Sequence, residues 1–240
     1  MKKNKKDIDT GLYNRDNELY AELVKDLYRE YPEGIKLPPE YASFVQNDLL
    51  RLLIRLARYK FVARMLKKKD SVLEIGCGSG LGSIFLSQYC AHVTGIDIKT
   101  TEIEEARSIN LRTNVEFKVE NLFTMNKSKT WDVIVALDVI EHMPISQGEE
   151  LIAFIPELLS QTGMLVIGTP SIYSYQFQGS LSKASHVKCY DLQELLSIVD
   201  AYFGRTIAFC MNDELVHTGF AKMAWYYFIL AFLPIRNKRN

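Results

Sequence analysis

Short apolar runs alternate with amphipathic stretches along most of this chain. Five of these runs are bounded by polar residues or glycine and predict strands, at residues 72–75, 92–98, 115–119, 131–137 and 163–170. The stretches between them carry apolar residues at a spacing typical of helices. Because alternating strands and helices are typical of parallel sheets, the pattern predicts an α/β fold with a doubly wound sheet. Ligands bind to such sheets at the carboxyl ends of the strands.

The first predicted strand ends in a glycine-rich loop. Glu74 is followed by three alternating glycines, Gly76, Gly78 and Gly80, and a predicted helix begins directly after them. Glycine lets backbone amides approach a small molecule closely, so the loop predicts a ligand site. The dinucleotide pattern G-x-G-x-x-G fails in both registers, because its third glycine would fall on Leu81 or Ser83.

The second predicted strand ends in a carboxylate, Asp97. It lies about 20 residues beyond the glycine loop, the distance at which a βαβ unit places an acid against ribose hydroxyls. A carboxylate only accepts hydrogen bonds, and it can accept one from each of two hydroxyls. The spacing fits any ligand that carries an adenosine ribose. The alternative is that Asp97 caps the helix that follows.

The E-x-G-x-G-x-G loop resembles motif I of the class I S-adenosylmethionine-dependent methyltransferases. The resemblance implies S-adenosylmethionine as cofactor, with S-adenosylhomocysteine as the product left behind. In this family an Asp after the third strand often accepts from the adenine amino group, and by register Asn121 takes that place here, with Glu120 as the alternative. The cofactor residues implied by the resemblance are Glu74, Gly76, Cys77, Gly78, Gly80, Asp97, Ile98, Asn121, Leu122, Leu137, Asp138 and His142.

The resemblance also implies a Rossmann-like, seven-stranded, mostly parallel sheet of order 3-2-1-4-5-7-6, whose last strand is antiparallel. Residues 1–57 are then an N-terminal tail and helical cap over the active site, and residues 58–240 form the methyltransferase domain. The apolar segment 223–235 is too short to span a bilayer, which takes about 20 apolar residues. We interpret it as the final strand of an antiparallel hairpin with residues 205–211. Interfacial anchoring or an oligomer contact is the alternative.

Two histidines are candidates for the general base. His142 follows the fourth predicted strand, and His186 lies in an H-x-x-x-Y segment that resembles the acceptor region of small-molecule and sugar methyltransferases. Histidine suits this role at neutral pH. His142 has an alternative structural role, as a helix cap or a wall of the pocket. A tyrosine ring carries a hydroxyl that suits a polar acceptor. We therefore predict that the substrate is bound by Tyr13, Tyr41, Tyr173 and Tyr190.

Asp138, Glu141 and His142 form a D-x-x-E-H cluster. It resembles the E-x-x-E-H site that holds a divalent cation in some ubiquinone-pathway O-methyltransferases. Two carboxylates and an imidazole could hold Mg²⁺ with waters. Our prediction is nevertheless a methyltransferase without a metal.

The composition of the chain bears on the class of acceptor and on the cellular compartment. The 29 basic and 29 acidic residues give a formal net charge of zero, so no overall field attracts nucleic acid. The four cysteines lack the spacing of a metal site or a disulfide framework, and no signal peptide is visible at the N-terminus, so we expect reduced thiols in a cytoplasmic protein. We expect a monomer or homodimer without a membrane span.

The predicted activity is methyl transfer to an oxygen or nitrogen of a small polar metabolite. A sugar, a nucleotide-linked sugar or a phosphorylated precursor of a surface polysaccharide fits best, since the chain resembles methyltransferases of bacterial polysaccharide clusters. The alternatives are a ubiquinone-pathway-like O-methyltransferase and a non-catalytic cofactor-binding protein. A nicotinamide-dependent reductase would need the missing third glycine and a hydride-transfer site.

Overall fold

The computed structural model describes the backbone of residues 14–236 and the side chains of residues 18–236. The chain divides into two compact units, residues 1–37 and residues 38–240. In the first unit, helix α1 (Asn14–Glu30) carries an exposed ion pair between Arg29 and Asp26. The second unit holds the sheet and every feature of the candidate site.

Within residues 38–236, the second unit is built around one sheet of eight strands. The strands lie in the order β3-β2-β1-β4-β5-β8-β6-β7. The first five are parallel to one another, β8 is antiparallel to β5, and β6 and β7 continue the antiparallel part. Their bounds are β1 Ser71–Ile75, β2 His92–Asp97, β3 Val115–Val119, β4 Trp131–Leu137, β5 Leu159–Pro170, β6 Phe203–Asn212, β7 Leu215–His217 and β8 Tyr226–Pro234.

Helices cover both faces of the sheet, as its nearly continuous apolar strands require. On one face, a buried cluster joins the sheet to two of the helices, through residues such as Leu151 and Leu195. On the other face, a second cluster joins it to three further helices, through Val62, Leu86 and Ile103. The helices of this unit are α2 Pro39–Asn47, α3 Leu49–Ala63, α4 Leu81–Leu86, α5 Thr100–Ile109, α6 Ile145–Leu158, α7 Ser180–Ser185 and α8 Leu192–Asp200.

The predicted strand order is confirmed, but the predicted number of seven strands is wrong. The additional strand is β7, which pairs with the end of β6 through Asn212 and Leu215. Only two residues separate these partners, and the first of them, Asp213, has a φ of +50°. A left-handed residue lets such a short turn reverse the chain. Three residues are too few for an apolar pattern, so the strand was not predicted.

The apolar segment 223–235 contains the strand β8, in agreement with its interpretation as a final antiparallel strand. Its residues from Tyr226 to Ala231 are buried between β5 and β6. The division into a cap and a methyltransferase domain at residues 57 and 58 stays a prediction, and both residues lie inside α3. Among the helices of residues 14–236, none is long and apolar enough to cross a membrane.

Candidate functional site

A cavity of about 970 Å³ opens at the carboxyl ends of β1, β2 and β4. Side chains of α2 and α3 form one wall, among them Glu40, Tyr41, Arg55 and Tyr59. Another part of the lining is formed by the start of α6, together with Leu181 and Ser185 of α7. The cavity therefore lies where a parallel α/β sheet places its ligand.

The glycine loop forms the floor of this cavity. Gly76 and Gly80 have φ angles of +68° and +86°, which L side chains rarely adopt. A Cβ on Gly76 would lie 2.6 Å from Val139 Cγ2, and a Cβ on Gly80 would lie 2.6 Å from Ala106 Cβ. Both glycines are therefore required by the backbone and by close packing. Gly76, Cys77 and Gly78 line the cavity, whereas Gly80 packs beneath it.

Glu74 lies directly below the loop and is fully buried. Its carboxylate accepts hydrogen bonds from Tyr59 Oη of α3, at 2.7 Å, and from Ser83 Oγ of α4. Burial raises the pKa of Glu74 to about 7, although the two donors act in the opposite direction. The carboxylate thus joins two helices to the first strand behind the cavity wall, and it is not part of the lining.

Asp97 shapes the neighbouring part of the cavity. Its Oδ2 accepts from the backbone N–H of Gly78 at 3.1 Å, and its Oδ1 accepts from the N–H of Lys99 at 2.9 Å. Each carboxylate oxygen has a further lone pair for a ligand. Asn121 lies at the end of β3, and its Oδ1 accepts from the N–H of Phe123 at 3.0 Å. Ile98, Asn121 and Leu122, which the sequence analysis assigns to the cofactor, also line the cavity.

Asp138 occupies the end of β4 in a strained conformation, with a φ of +57°. Its Oδ2 lies 2.5 Å from Arg58 Nη1, and this guanidinium also lies over the ring of Tyr226, 4.0 Å from its centre. Arg58 thereby joins α3 to the ends of β4 and β8. The Asp138 charge already has a cationic partner before any ligand enters.

His142 and His186 lie next to each other, with ring centres 5.1 Å apart. His142 lines the cavity, and its Nδ1 lies 2.9 Å from the carbonyl oxygen of Ser185. Because a carbonyl only accepts, this contact places the proton on Nδ1 and leaves Nε2 with a lone pair. His186 does not line the cavity, and burial together with the neighbouring His142 lowers its pKa.

Glu141 is fully buried beside these histidines. Its Oε2 accepts from Thr169 Oγ1 at 2.9 Å, whereas its Oε1 is buried and has no hydrogen-bond partner among the residues that the structure describes. Burial, and then the nearby Asp138 charge, raise the pKa of Glu141. One ligand atom from each of Glu141, His142 and His186 lies within 4.8 Å of the other two. Two imidazoles and a carboxylate of this kind could hold a divalent cation.

Three of the predicted tyrosines lie at different places, and Tyr13 falls outside the described residues. Tyr41 lines the cavity and is buried. Tyr173 lines a second cavity, where its hydroxyl donates to Asp191 at 3.0 Å. Tyr190 is fully buried in the hydrophobic core. Of the three predicted tyrosines within the described residues, only Tyr41 therefore lines the cavity together with the glycine loop, Asp97 and His142.

The structure adds residues to the site that sequence reasoning did not assign. Tyr226 contacts Arg58 from the end of β8, and Tyr59 donates to Glu74. Gln147 and Ser185 line the cavity beside His142. Tyr226 lies in an apolar run that predicts only a buried strand, so no local signal marks it as a site residue.

Comparison with known proteins identifies the family. The family model described as "Methyltransferase domain" matches residues 41–202, which is well over half of the chain. The chain belongs to the methyltransferase-domain family. Its identification as a class I S-adenosylmethionine-dependent methyltransferase is thereby confirmed, and S-adenosylmethionine is the cofactor of this class.

Curated relatives of this chain differ in the atom that their names say is methylated. The ubiquinone biosynthesis O-methyltransferase of Coxiella burnetii is 29% identical over 99 residues, which are 40% of this chain and 42% of the relative. Phosphoethanolamine N-methyltransferase 1 of Arabidopsis thaliana is 37% identical over 89 residues, 35% of this chain and 18% of the relative. The chain thus matches less than half of the length of these relatives.

Solved methyltransferase structures share the fold. The N-methyltransferase NodS of Bradyrhizobium japonicum, in complex with S-adenosylhomocysteine, has a TM-score of 0.57 at 17% identity, over 75% of this chain and 87% of that one. A possible histamine N-methyltransferase of Thermotoga maritima has a TM-score of 0.63 at 15% identity, over 80% and 94%. Identities this low show the fold alone.

Glu74 and Glu141 are buried carboxyl groups, and from them we predict that the free energy of unfolding falls as the pH rises. Folding raises the pKa of Glu74 and of Glu141, so between pH 5 and 7 the folded state holds protons that the unfolded state has released. Each group then lowers the free energy of unfolding by up to about 1.4 kcal/mol per pH unit. His186 acts in the opposite direction below its ordinary pKa, because burial keeps it uncharged.

Urea unfolding between pH 5 and 7.5 tests this, with Glu141→Gln as the variant. Glutamine keeps an acceptor for Thr169 but cannot titrate, so the free energy of unfolding should fall less steeply with pH than in the unsubstituted protein. Glu116→Gln, at an exposed position on β3, is the control and should leave the slope unchanged. A Glu141→Gln slope equal to the original would contradict a raised pKa at this carboxyl.

Proposed function

We propose that this chain transfers the methyl group of S-adenosylmethionine to an oxygen or nitrogen of a small polar metabolite. The observation that supports this best is the convergence of Gly76, Gly78, Asp97, Asp138 and His142 on one cavity. The glycine loop and Asp97 suit an adenosine-bearing cofactor. Asp138 and His142 border the same space, so an acceptor could lie beside the cofactor.

The electrostatics of the cavity fit a positively charged cofactor. Two basic residues, Arg55 and Lys99, line it together with seven acidic ones, which are Glu40, Asp97, Glu102, Glu105, Glu120, Asp138 and Glu150. S-adenosylmethionine carries a sulfonium cation, and a predominantly acidic wall favours it over an anionic dinucleotide. A Cβ on Gly78 would meet only Glu102 Oε2, at 3.7 Å, so the missing side chain leaves the backbone open to close approach by the ligand.

Three groups of residues would bind three parts of the cofactor: the ribose, the adenine and the methionine part. Asp97 would accept from the ribose hydroxyls, and Asn121 with Leu122 would border the adenine. Backbone amides of the glycine loop and the end of β4 would border the methionine part. The residues we propose for the cofactor are those predicted from the sequence, with Glu74 and Gly80 acting by supporting the loop from below.

The bound cofactor supplies an electrophilic methyl group, so the protein mainly aligns the acceptor and excludes water. An acceptor hydroxyl must lose a proton as it is methylated, and His142 Nε2 would be the group that takes it. The carbonyl of Ser185 fixes the orientation of the His142 ring. Tyr41, Gln147 and Ser185 offer polar groups to an acceptor in the same cavity.

We further propose an acceptor from the precursors of a surface polysaccharide, such as a sugar or a nucleotide-linked sugar. The charged and hydroxyl-bearing side chains among the cavity lining and the formal net charge of zero support a small polar acceptor over nucleic acid. The four cysteines occur as free thiols, which supports a cytoplasmic protein. The names of the relatives include both an O- and an N-methyltransferase, so both oxygen and nitrogen belong to this proposal as the attacking atom.

The experiment is a transfer assay on the purified chain with S-adenosylmethionine and a panel of acceptors. The panel holds sugars, nucleotide sugars, catechols and primary amines, and the readout is acceptor-dependent formation of S-adenosylhomocysteine together with a methylated product. We expect turnover on an acceptor of the first two classes. Cofactor binding without turnover on any member would instead support a non-catalytic binding protein.

A second candidate is a cation-assisted O-methyltransferase like those of the ubiquinone pathway. The observation that favours it is the convergence of Glu141, His142 and His186, with Glu141 Oε1 buried and unpartnered. The two candidates differ in their response to metal removal. If the enzyme needs no metal, turnover persists in the presence of EDTA. If it needs a metal, turnover on a catechol is lost in EDTA and returns when Mg²⁺ or Zn²⁺ is added.

A further inference from the structure

The charges that line the cofactor cavity do not balance. Of its seven acidic side chains, two have a cationic partner: Glu40 pairs with Arg55 at 2.7 Å, and Asp138 pairs with Arg58 at 2.5 Å. Among the ion pairs of residues 18–236, none involves the remaining charged residues of the lining, which are Asp97, Glu102, Glu105, Glu120, Glu150 and Lys99. One lysine thus lies among five carboxylates, and the lining keeps an excess of negative charge.

Charged residues just outside the lining carry both signs. Arg51 and Arg107 are exposed on α3 and α5, and Glu104 and Glu149 are exposed on α5 and α6. Water and salt screen exposed charges more strongly than charges in a cavity. A ligand inside the cavity therefore meets mainly the charge of the lining.

Two of the unpaired carboxylates lie against the glycine loop. Asp97 Oδ2 accepts from the N–H of Gly78 at 3.1 Å, and a Cβ on Gly78 would lie 3.7 Å from Glu102 Oε2. Burial, and then the Glu105 charge, raise the pKa of Glu102, although Lys99 acts in the opposite direction. The neighbouring carboxylates thus repel one another, and a cationic ligand between them would relieve this repulsion.

An independent observation marks this part of the lining as a ligand site. Ser79 follows Gly78 in the loop, lines the cavity and is only 2% exposed. Its Oγ is buried and forms no hydrogen bond within the part of the chain that the structure describes. Because buried polar groups normally have a partner, we expect this hydroxyl to bond a ligand. The assignment of a ligand site therefore does not depend on the acidic residues alone.

S-adenosylmethionine and its product differ by one unit of charge. The cofactor carries a sulfonium, an ammonium and a carboxylate, which leave one net positive charge at neutral pH. S-adenosylhomocysteine has lost the methyl group, its sulfur is neutral, and its ammonium and carboxylate cancel. A negative lining attracts the cofactor more than the product, and this difference is larger in a partly buried cavity than in water.

We propose that Glu102, Glu105 and the other unpaired carboxylates make this cavity bind S-adenosylmethionine more tightly than S-adenosylhomocysteine. Glu102 and Glu105 are then specificity-determining residues, because they distinguish the charged cofactor from the spent one. Methyl transfer removes the charge that the lining attracts, so the product dissociates readily. The inference rests on the proposed function, because it requires the cofactor to occupy this cavity.

Calorimetric titration of the full chain with three ligands tests the inference. The ligands are S-adenosylmethionine, S-adenosylhomocysteine and sinefungin, in which a protonated amine replaces the sulfonium. Each is titrated at pH 8, above the ordinary pKa of glutamate, at low and at physiological salt. We expect the two cationic ligands to bind about tenfold more tightly than S-adenosylhomocysteine at low salt, and added salt should reduce this ratio.

A pair of double variants separates the lining from the overall charge of the protein. Glu102→Gln/Glu105→Gln should weaken binding of S-adenosylmethionine about fivefold and should change binding of S-adenosylhomocysteine by less than about twofold. Glu104→Gln/Glu149→Gln is the matched control, because it removes the same charge from exposed positions of α5 and α6 outside the lining. It should leave the affinities for all three ligands unchanged. Retained binding of S-adenosylhomocysteine shows that each variant is folded.

Three outcomes would overturn the inference while the cofactor cavity stands. They are binding of S-adenosylhomocysteine as tight as that of the cationic ligands, a ratio that does not change with salt, and equal losses in the two double variants. Binding of none of the three ligands would contradict the proposed cofactor site itself, and the inference would fall with it.

Discussion

Replacing His142 with glutamine is expected to lower the turnover of an acceptor hydroxyl by about 100-fold or more. His142 lines the cofactor cavity, and the contact of its Nδ1 with the Ser185 carbonyl leaves Nε2 free to accept a proton. Glutamine keeps a polar side chain of similar length but cannot accept that proton at neutral pH. The expected signature is a lower kcat with a smaller change in the affinity for S-adenosylmethionine, measured by initial rates and by calorimetry.

The neighbouring histidine provides the comparison for this prediction. His186 lies 5.1 Å from His142, between ring centres, but does not line the cavity. His186→Gln should therefore lower kcat by less than tenfold, a smaller loss than that expected for His142→Gln. Equal losses in the two variants would mean that the pair acts as a unit. An unchanged kcat in His142→Gln would overturn the assignment of a base and favour an amine acceptor, which attacks as the neutral amine.

The sequence could predict the parts of this site that depend on local chain geometry. The spacing of Gly76, Gly78 and Gly80 predicted a loop open to a ligand, and positive φ angles at all three agree with that. The distance from the loop to Asp97 predicted two neighbouring strand ends, and the two features meet through the hydrogen bond from Gly78 to Asp97. In a parallel sheet, the spacing of strands along the chain places their carboxyl ends side by side. The positions of the glycine loop and of Asp97 can therefore be predicted from the sequence.

Contacts between distant segments could not be predicted in the same way. Arg58 meets Asp138 and Tyr226 across three elements that are far apart in the chain. The apolar run around Tyr226 predicts a strand. It does not predict that the Tyr226 ring lies at the end of this strand beside the guanidinium of Arg58. The H-x-x-x-Y segment shows the same limit, because His186 lies beside the candidate base while Tyr190 is buried in the core. Four residues of separation do not fix the side of the segment on which each side chain lies.

The glutamate of the glycine motif illustrates a further limit. The sequence suggested that Glu74 borders the cofactor, and the structure directs its carboxylate to Tyr59 and Ser83 behind the cavity wall. A buried carboxylate needs partners, and the two hydroxyl donors come from α3 and α4, which only the folded chain brings together. The packing of these two helices therefore explains the residue type at the end of the strand.

Asp97→Ala is expected to weaken binding of S-adenosylmethionine by about 100-fold or more. Hydrogen bonds to a charged acceptor contribute about 1.5–3 kcal/mol each, and about 1.4 kcal/mol corresponds to tenfold in affinity. Asp97 would accept two such bonds from the ribose, and it also holds the N–H groups of Gly78 and Lys99 in place. Alanine removes both contributions. Calorimetric titration with S-adenosylmethionine, and separately with NADH, measures the change.

Two variants separate the hydrogen bonds of Asp97 from its charge. Glu105→Ala removes another carboxylate from the same cavity lining and should weaken binding by less than tenfold. Asp97→Asn should be intermediate, because the amide oxygen can still accept while the amide nitrogen would face the N–H of Gly78 or of Lys99. If Glu105→Ala loses as much affinity as Asp97→Ala, the acidic wall acts only through its overall charge and the ribose assignment is wrong. Binding of NADH in place of S-adenosylmethionine would contradict the cofactor itself, since the glycine loop would then serve a dinucleotide without its third glycine.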